Sequence, residues 1–555
     1  MRRLFADPFV WLLLVVALAV RLIGVDDPWS SRIWEGEFGA YATGGPATNL
    51  AQFGFLSTGG VPLEWRVVTE GGGVFEQHYL NHPPTYMWLA GLFVWLFGAV
   101  EWGLRLLPIL TSTLACVAGY AFARRFAGVR AGRVAALVWA FAPYGLRDGL
   151  QLWTEVPIAA TMALALLCYV RWLERRERRD LVHLCLWYGL ACALDWPAFF
   201  FGPVIALHAL GVARSTHTWR PLLAPAILFG VSVAILAAIW VHFGSVVGFD
   251  VLSARFDQAL GSADGSDMLA LAGSDVAVKP QLNAAFWSVQ LHGFVVGITP
   301  PGFVLGLLGL VLAALSRRPR REIGLLLLAG LPGLVYVAAF PGRSANHLFF
   351  FTISLASYAT LVGMGAEGLA RGAQVLLGDI ARRAGTVVAL ACSAAIVVAG
   401  LQQHLELRAV SADDALGQLT ADPYMVDLLA DEQALIVTPA GLGAWLPFYA
   451  RGQVVLMPDL SPVVIGGLRV RWLTQLADER RAVVFLDEGS VHHPSLPESH
   501  REAFAAALDA LIVGLERFGE PHVIEFTDSL GMEHRFSVHE LPTGEAARSF
   551  SPSPR

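Results

Sequence analysis

Twelve titratable side chains collect at the ends of apolar runs: Glu35, Glu37, His78, His82, Arg105, Arg147, Asp148, Glu155, Asp195, His292, Arg343 and His347. Ionisable groups are expensive at depth in a membrane, so the places where they gather are informative. Channels and ion-coupled transporters tend to put them near the midplane on interrupted helices. Carboxylates facing cations at one interface suit instead a group transfer at the membrane surface. Trp34-Glu35-Gly36-Glu37-Phe38 offers two carboxylates, and attack by a hydroxyl needs a general base within hydrogen-bond reach of its proton. A solvated helix start, where Glu is favoured by the helix dipole, is the competing reading.

Tyr79-Leu80-Asn81-His82-Pro83-Pro84-Thr85-Tyr86 follows. Prolines are tolerated in the first turn of a helix, and His82 then sits beside a helix N-terminus, where anions collect; plain helix punctuation is the alternative. Arg105, in Glu101-Trp102-Gly103-Leu104-Arg105, is either a snorkelling anchor or a phosphate contact. Glu155, in Trp153-Thr154-Glu155-Val156-Pro157, is either a reactive acid or an N-terminal charge on its helix. Pro341-Gly342-Arg343-Ser344-Ala345-Asn346-His347 reads equally as an anion contact or a solvated turn. Asp195-Trp196-Pro197 reads as a turn with an interfacial aromatic.

The frame that positions these residues is a membrane bundle. Only 15% of the 555 residues are charged and 55% are apolar or aromatic, against about 25% charged in soluble chains; the mean hydropathy is +0.56. The net charge of −6 suggests no nucleic-acid partner, and Lys279 is the only lysine, a usage typical of a GC-rich genome. All five cysteines fall in apolar runs and are expected to be unpaired. Apolar runs lie near 9–25, 83–98, 102–123, 134–146, 156–173, 181–194, 196–213, 221–243, 293–316, 323–341, 347–366 and 385–401, and a spanning helix needs about 20 residues. The first run follows Met1-Arg2-Arg3, but Arg21 and Asp26-Asp27-Pro28 stand where a signal peptide has its small-residue cleavage site, so it is expected to be an uncleaved anchor.

Five arginine clusters set the orientation: 124–133, 171–179, 214–220, 317–321 and 371–383. Short loops this basic belong on the cytoplasmic side. With the N-terminus also cytoplasmic, every cluster falls inside only if one early segment does not cross. The short 83–98 run, opened by His82-Pro83-Pro84, is expected to lie in or dip into the outer leaflet, leaving eleven spans. The expected fold is thus a polytopic α-helical membrane protein, residues 1–401, with outer loops at 26–101, 147–155 and 244–292. Beyond it, strand-length runs (Ala434–Pro439, Gln453–Pro458, Arg481–Leu486, His522–Phe526) alternate with helical patterns (Val470–Glu479, His500–Phe518). This predicts a small extracytoplasmic α/β domain over 402–545 with a mostly parallel sheet, then a frayed tail at 546–555.

Taken in order, the acidic motif of the first loop, the His-Pro-Pro helix start, Phe97-Gly98, Glu101-Trp102, Arg105-Leu106, Pro108, Ala142-Pro143 and Glu155 form a recognisable set. Together they resemble the glycosyltransferase family 39 branch of the C-type membrane glycosyltransferases, which includes protein O-mannosyltransferases and lipid A aminoarabinose transferases. The resemblance covers roughly residues 10–200 well and 290–370 loosely, and the tail only in kind.

It implies inverting transfer of a sugar from a polyprenyl-phosphate carrier to an acceptor hydroxyl at the outer face, in cell-envelope glycosylation. An acid of the first loop would serve as base. The family has an adjacent Asp-Glu pair where this chain has Glu-Gly-Glu, with a Gly-Gly-Pro insertion before Ala47-Thr48-Asn49-Leu50, so Glu35 and Glu37 are both candidates. Glu155 matches the second-loop acid, His82 a Lys or His before Pro-Pro, and Arg105 an arginine after the re-entrant helix. Arg147, Arg343, His347 and His78 complete the expected phosphate and substrate contacts.

Expected partners are membrane lipid, the lipid-linked donor and a protein, lipid or polysaccharide acceptor. The expected setting is a bacterial-type plasma membrane. A divalent metal is compatible with the chemistry but has no ligand spacing to support it. The alternatives are a lipid-linked oligosaccharide polymerase or ligase, a glycolipid transporter or flippase, and a scaffold whose outer domain binds glycan.

Overall fold

The structure, a computed structural model, describes residues 2–26, 43–68, 74–253, 282–316, 319–344, 349–377, 381–412, 419, 421–439, 450, 453–457, 481–487, 509, 512–513, 515–516, 518–527 and 533–541. A helix lies on each of the twelve apolar runs. In chain order the main helices are α1 (Pro8–Arg21), α2 (Gly45–Phe53), α3 (Thr85–Phe97), α4 (Glu101–Ala127), α5 (Val129–Phe141), α6 (Glu155–Arg175), α7 (Arg178–Leu194), α8 (Phe201–Thr216), α9 (Leu223–Val247), α10 (Ala284–Gly297), α11 (Pro300–Ala314), α12 (Arg320–Leu328), α13 (Leu331–Ala339), α14 (Leu355–Leu377), α15 (Ala381–Ala412) and α16 (Pro423–Ala430).

Among the described residues, six helices are long and apolar enough to cross a membrane on their own, or seven if the bent pair α10–α11 is one span. That is fewer than the eleven expected. The apolar runs are helical, but α1 and α5, with 14 and 13 residues, fall short of a full crossing.

The bundle has two distinct ends. At one, Asp7 caps α1 through the Phe9 amide (3.1 Å) and accepts from Tyr120 (2.6 Å) and Arg133 (3.3 Å). There too Arg125 pairs with Glu174 and, at 3.2 Å, with Glu322. Residues of two of the arginine-rich stretches, with Glu322 just after a third, therefore meet at one end, beside Asp7. At the opposite end α3 begins next to Asp195, the residue that closes α7, and it runs into the start of α4 through Gly98. So α3, about 20 Å long at 1.5 Å per residue, starts and finishes at the same end of the bundle.

Small residues let the helices approach closely, as is usual where lipid removes the hydrophobic drive between them. A Cβ on Gly309 of α11 would stand 1.8 Å from the Leu361 carbonyl oxygen of α14, and one on Gly365 1.9 Å from that of Leu305. Gly363 meets α5 in the same way at Ala131. Between α10 and α11 the chain bends by 99°. Thr299 sits at the break with φ +68°, its hydroxyl accepting from the Gly302 amide at 3.2 Å ahead of Pro300-Pro301.

Arg21, at the end of α1, is fully buried. It donates to Ser112 Oγ (2.8 Å), to the carbonyls of Ala17 and Ala140 (both 3.2 Å), and to those of Trp139 (3.1 Å) and Gly145 (2.7 Å). The last three sit at the frayed C-terminus of α5, where intrahelical donors run out.

Two sheets lie outside the bundle. Between α2 and α3, β1 (Leu63–Val68) and β2 (Val74–His78) form an antiparallel hairpin that the composition of that stretch did not announce. After α15, β3 (Leu435–Pro439), β4 (Gln453–Met457), β5 (Ala482–Asp487), β6 (His522–Thr527) and β7 (Glu533–Leu541) build a sheet of order β4-β3-β5-β7-β6. It is mixed rather than mostly parallel: β3 pairs parallel with β4 and β5, whereas β7 pairs antiparallel with β5 and β6. In β7, Phe536 and Val538 alternate with polar neighbours, so it offers no apolar run. α15 continues helical to Ala412, past the expected boundary at 402. The helical pattern at 470–479 and most of that at 500–518 lie outside the described residues. β1 lies against β4, the edge strand of the second sheet.

Arg481 holds this domain's rim, pairing with Glu540 (2.9 Å), Asp427 (3.5 Å) and Asp431 (3.7 Å); the Tyr424 hydroxyl also donates to Glu540 (2.9 Å). The Arg481 hydrogen bond, outweighing partial burial, holds the Glu540 carboxyl below its usual range. A depressed carboxyl adds stability above its unfolded pKa of about 4.3 and loses it as the pH falls through the folded value.

Two outcomes follow. Hydrogen-exchange protection of the β5–β7 amides should fall between about pH 5 and 3, with a shallower response in Glu540→Gln; an identical response in the variant refutes the role. Arg21→Met should lower stability in detergent by about 3 kcal/mol or more, at about 1–3 kcal/mol for each buried acceptor left unmet. An unchanged unfolding midpoint would refute the clamp.

Candidate functional site

At the end of the bundle away from the arginine clusters, three carboxylates converge. Asp195 is extended (φ −167°, ψ 162°), which turns the chain out of α7. Its Oδ2 accepts from His82 Nδ1 (2.8 Å) and the Thr154 hydroxyl (2.6 Å), and its Oδ1 from the Trp196 amide (2.7 Å). Burial pushes this carboxyl up, but His82, Thr154 and the Trp196 amide together hold it below the usual range. Asp148, in the turn after α5, takes Arg147 at 2.7 Å on Oδ1 and the Thr352 hydroxyl at 2.8 Å on Oδ2. Burial raises its carboxyl against the pull of Arg147.

Glu155, the third, opens α6 directly after Thr154 and is 3% exposed. Both other acids lie within its electrostatic reach. Among the described residues no side chain hydrogen-bonds or ion-pairs with its carboxylate. Tyr86 of α3, also within reach of Glu155, buries its hydroxyl without a partner there either. A buried carboxylate with no cation is costly to keep, and such groups cluster at functional sites.

The remaining expected residues divide. Glu35, Glu37 and His347 lie outside the described residues, as does the side chain of Arg343; the turn that carries Arg343 is tied to α10 by Gln290 donating to the Ser344 carbonyl (2.6 Å). The stretch 27–42 that holds Glu35 and Glu37 is anchored on both sides. Before it, Arg105, fully buried, donates to the Val25 carbonyl (3.0 Å); after it, Thr43 donates to the Leu152 carbonyl (3.1 Å), three residues from Glu155. His78 ends β2 at 3.5 Å from Glu76. His292 is on the exposed side of α10. Arg147 also lines a cavity of about 250 Å³ with Pro143, Leu146, Val296, Gly400, Gln403, His404 and Glu406. No group of three His, Cys, Asp or Glu among the described residues is placed to hold a metal ion.

Asp195, Thr154, Tyr86 and Thr352 are the participants that sequence reasoning passed over. Only Asp195 carried a signal: an acid at the junction of two apolar runs, where a solvated turn has no need of one. Removing the Thr352 hydroxyl (Thr352→Val) should cost about 1–3 kcal/mol by leaving a buried Asp148 oxygen short of a donor. Unfolding in detergent reads this directly, and a variant as stable as the parent would show the bond to be idle.

Residues 81–243 match the family model described as dolichyl-phosphate-mannose-protein mannosyltransferase, a stretch that contains His82, Arg105, Arg147, Glu155 and Asp195. No curated protein matches the chain in sequence. Among solved structures it is similar to ArnT from Cupriavidus metallidurans bound to undecaprenyl phosphate, with a TM-score of 0.61 and 16% identity over 99% of this chain and 100% of that one. The apo state of the same protein gives 0.57 and 15% over 96% and 98%. AglB, the archaeal oligosaccharyltransferase from Archaeoglobus fulgidus, in complex with an inhibitory peptide and a dolichol-phosphate, gives 0.52 and 15% over 96% of this chain and 74% of that one. With a segment that matches this family model spanning the acid cluster, set in a fold similar to that of ArnT along its whole length, the chain is a membrane glycosyltransferase.

Proposed function

We propose that the protein transfers a sugar, with inversion, from a polyprenyl-phosphate carrier to an acceptor hydroxyl at the outer face of the membrane. The observation that carries this reading is Glu155: a buried acid with no cation or side-chain partner among the described residues, one residue from the hydroxyl that donates to the same Asp195 oxygen as His82. The undecaprenyl phosphate bound by ArnT and the dolichol-phosphate bound by the archaeal oligosaccharyltransferase support the class of donor.

In this reading the acceptor oxygen attacks the anomeric carbon, and the bond from that carbon to the phosphate oxygen breaks. The carrier phosphate leaves with the electron pair, and the acceptor's proton passes to a carboxylate. A first-loop acid, Glu35 or Glu37, takes that proton, while Glu155 orients the acceptor and the sugar hydroxyls. His82 and Arg147 face the leaving phosphate, where fixed positive charge is worth most. His78, Arg343 and His347 are assigned to substrate contacts, and Arg105 holds the Val25 carbonyl at the start of the first loop. Inversion requires base and phosphate on opposite faces of the sugar, as in inverting hydrolases whose carboxyls stand roughly 6.5–9.5 Å apart.

The same reading places the arginine-rich end of the bundle and the N-terminus in the cytoplasm, by the positive-inside bias. It takes residues 1–401 as an eleven-span domain with α3 re-entrant, and 402–545 as an extracytoplasmic domain followed by a frayed tail. That Asp7 shares an end with Arg124 and Arg133, while α3 begins and ends at the other, supports this parity.

The test is genetic and chemical. Lipid extracts of a deletion strain should accumulate a polyprenyl-phosphate sugar by mass spectrometry. Glu155→Gln should restore less than about 1% of transfer, within the range lost with a positioned acid or base. Full complementation by Glu155→Gln, or lipid extracts indistinguishable from the parent strain, would refute the proposal. Accumulation of a diphosphate-linked oligosaccharide would point to the ligase reading instead.

A further inference from the structure

Asp195 has no part in the bond-making steps above, yet three donors converge on it at 2.6–2.8 Å while only 1% of it is exposed. An ionised carboxylate only accepts, so the Nδ1 of His82 is the donor in their contact. The tautomer of the ring is thereby set, and Nε2 is the atom left for a ligand. The side chain of His82 is 26% exposed against 2% for Asp195, so the bonded edge of the ring faces inward and the other edge outward.

Other contacts hold the ring and its backbone in that pose. Tyr79 stacks on His82 with centroids 5.7 Å apart and planes 17° apart. The Trp196 indole donates to the carbonyl of Asn81 (2.8 Å), so consecutive residues 195 and 196 grip consecutive residues 82 and 81. Thr154 and the Trp196 amide, in turn, fix Asp195 itself.

We propose that Asp195 is a positioning residue for the transfer, holding His82 with Nε2 turned toward the carrier phosphate. The arrangement is that of metal-binding histidines, whose second nitrogen is held by a carboxylate that sets the ring's orientation and basicity, here directed at a phosphate oxygen. The inference rests on the reading of His82 as a phosphate contact, and the experiment separates the two.

Undecaprenyl phosphate binding is measured on the full-length protein in detergent for the parent, Asp195→Asn, His82→Ala and the double variant. In Asp195→Asn a single amide oxygen must serve three donors, so affinity should fall about tenfold, with a matching rise in KM for the lipid-linked donor. His82→Ala should lose at least as much. The double variant should bind within about twofold of His82→Ala alone, because residues that act through one another are non-additive. Parent-like binding by Asp195→Asn, or losses that multiply in the double variant, would overturn the proposal while leaving His82 as a phosphate contact. Parent-like binding by His82→Ala would remove the phosphate reading of His82 and the role of Asp195 with it. If Asp195→Asn does not fold, Asp195→Glu keeps the charge on a longer arm, and its loss of affinity must likewise vanish in the His82→Ala background for the proposal to stand.

Discussion

A charged or polar group enclosed by apolar helices must find its partner within the protein, because neither lipid nor water is there to supply one. Much of this molecule is organised by that requirement. Arg21, at the end of an otherwise apolar helix, is met by four main-chain carbonyls and Ser112, and so fastens α1 to the C-terminus of α5. Asp148 is met by Arg147 and Thr352, which joins the turn after α5 to the approach of α14. Asp195 is met by His82 and Thr154, which joins α7, the start of α3 and the start of α6. Each enclosed charge acts as a junction. Glu155 lies among these junctions without a side-chain partner among the described residues, which is why it reads as a group awaiting substrate.

The same logic explains why the reactive groups sit on helix ends. The helix interiors are occupied by close backbone contact, as where Gly309 and Gly365 leave no room for a methyl group. Such surfaces hold the bundle together but carry no chemistry. The candidate site residues fall just before or after the helices: His82 before α3, Glu155 at the first position of α6, Asp195 just past α7. Rigid helices then fix their separations, and the intervening turns decide only which atoms point inward.

Much of this was legible in the residues. The twelve apolar runs are helical, the His-Pro-Pro motif does open a short helix, and His82 and Arg147 pair with the two acids that lie within electrostatic reach of Glu155. The misses have physical causes. A hydropathy scan is blind to half-buried antiparallel strands, so β1 and β7, which largely alternate in polarity, and β2, with only Val74-Phe75 apolar, gave no run to find. A span count by hydropathy treats every run alike, whereas α1 and α5 are too short to qualify by length. Asp195 was passed over because an acid beside Trp and Pro looks like a surface turn, and only tertiary contact with a histidine 113 positions away reveals its burial.

The contact between β1 and β4 has a consequence for synthesis. These strands, Leu63–Val68 and Gln453–Met457, come from opposite ends of the chain. At roughly 5–20 residues per second, the hairpin is made tens of seconds before the strand it lies against. Through that interval the newborn first loop stands without its neighbour while helix after helix is threaded into the bilayer. The end of the bundle that carries these sheets is therefore completed last, by the arrival of β4, and a ribosome that stalls before then leaves behind an assembled bundle whose hairpin has no neighbour.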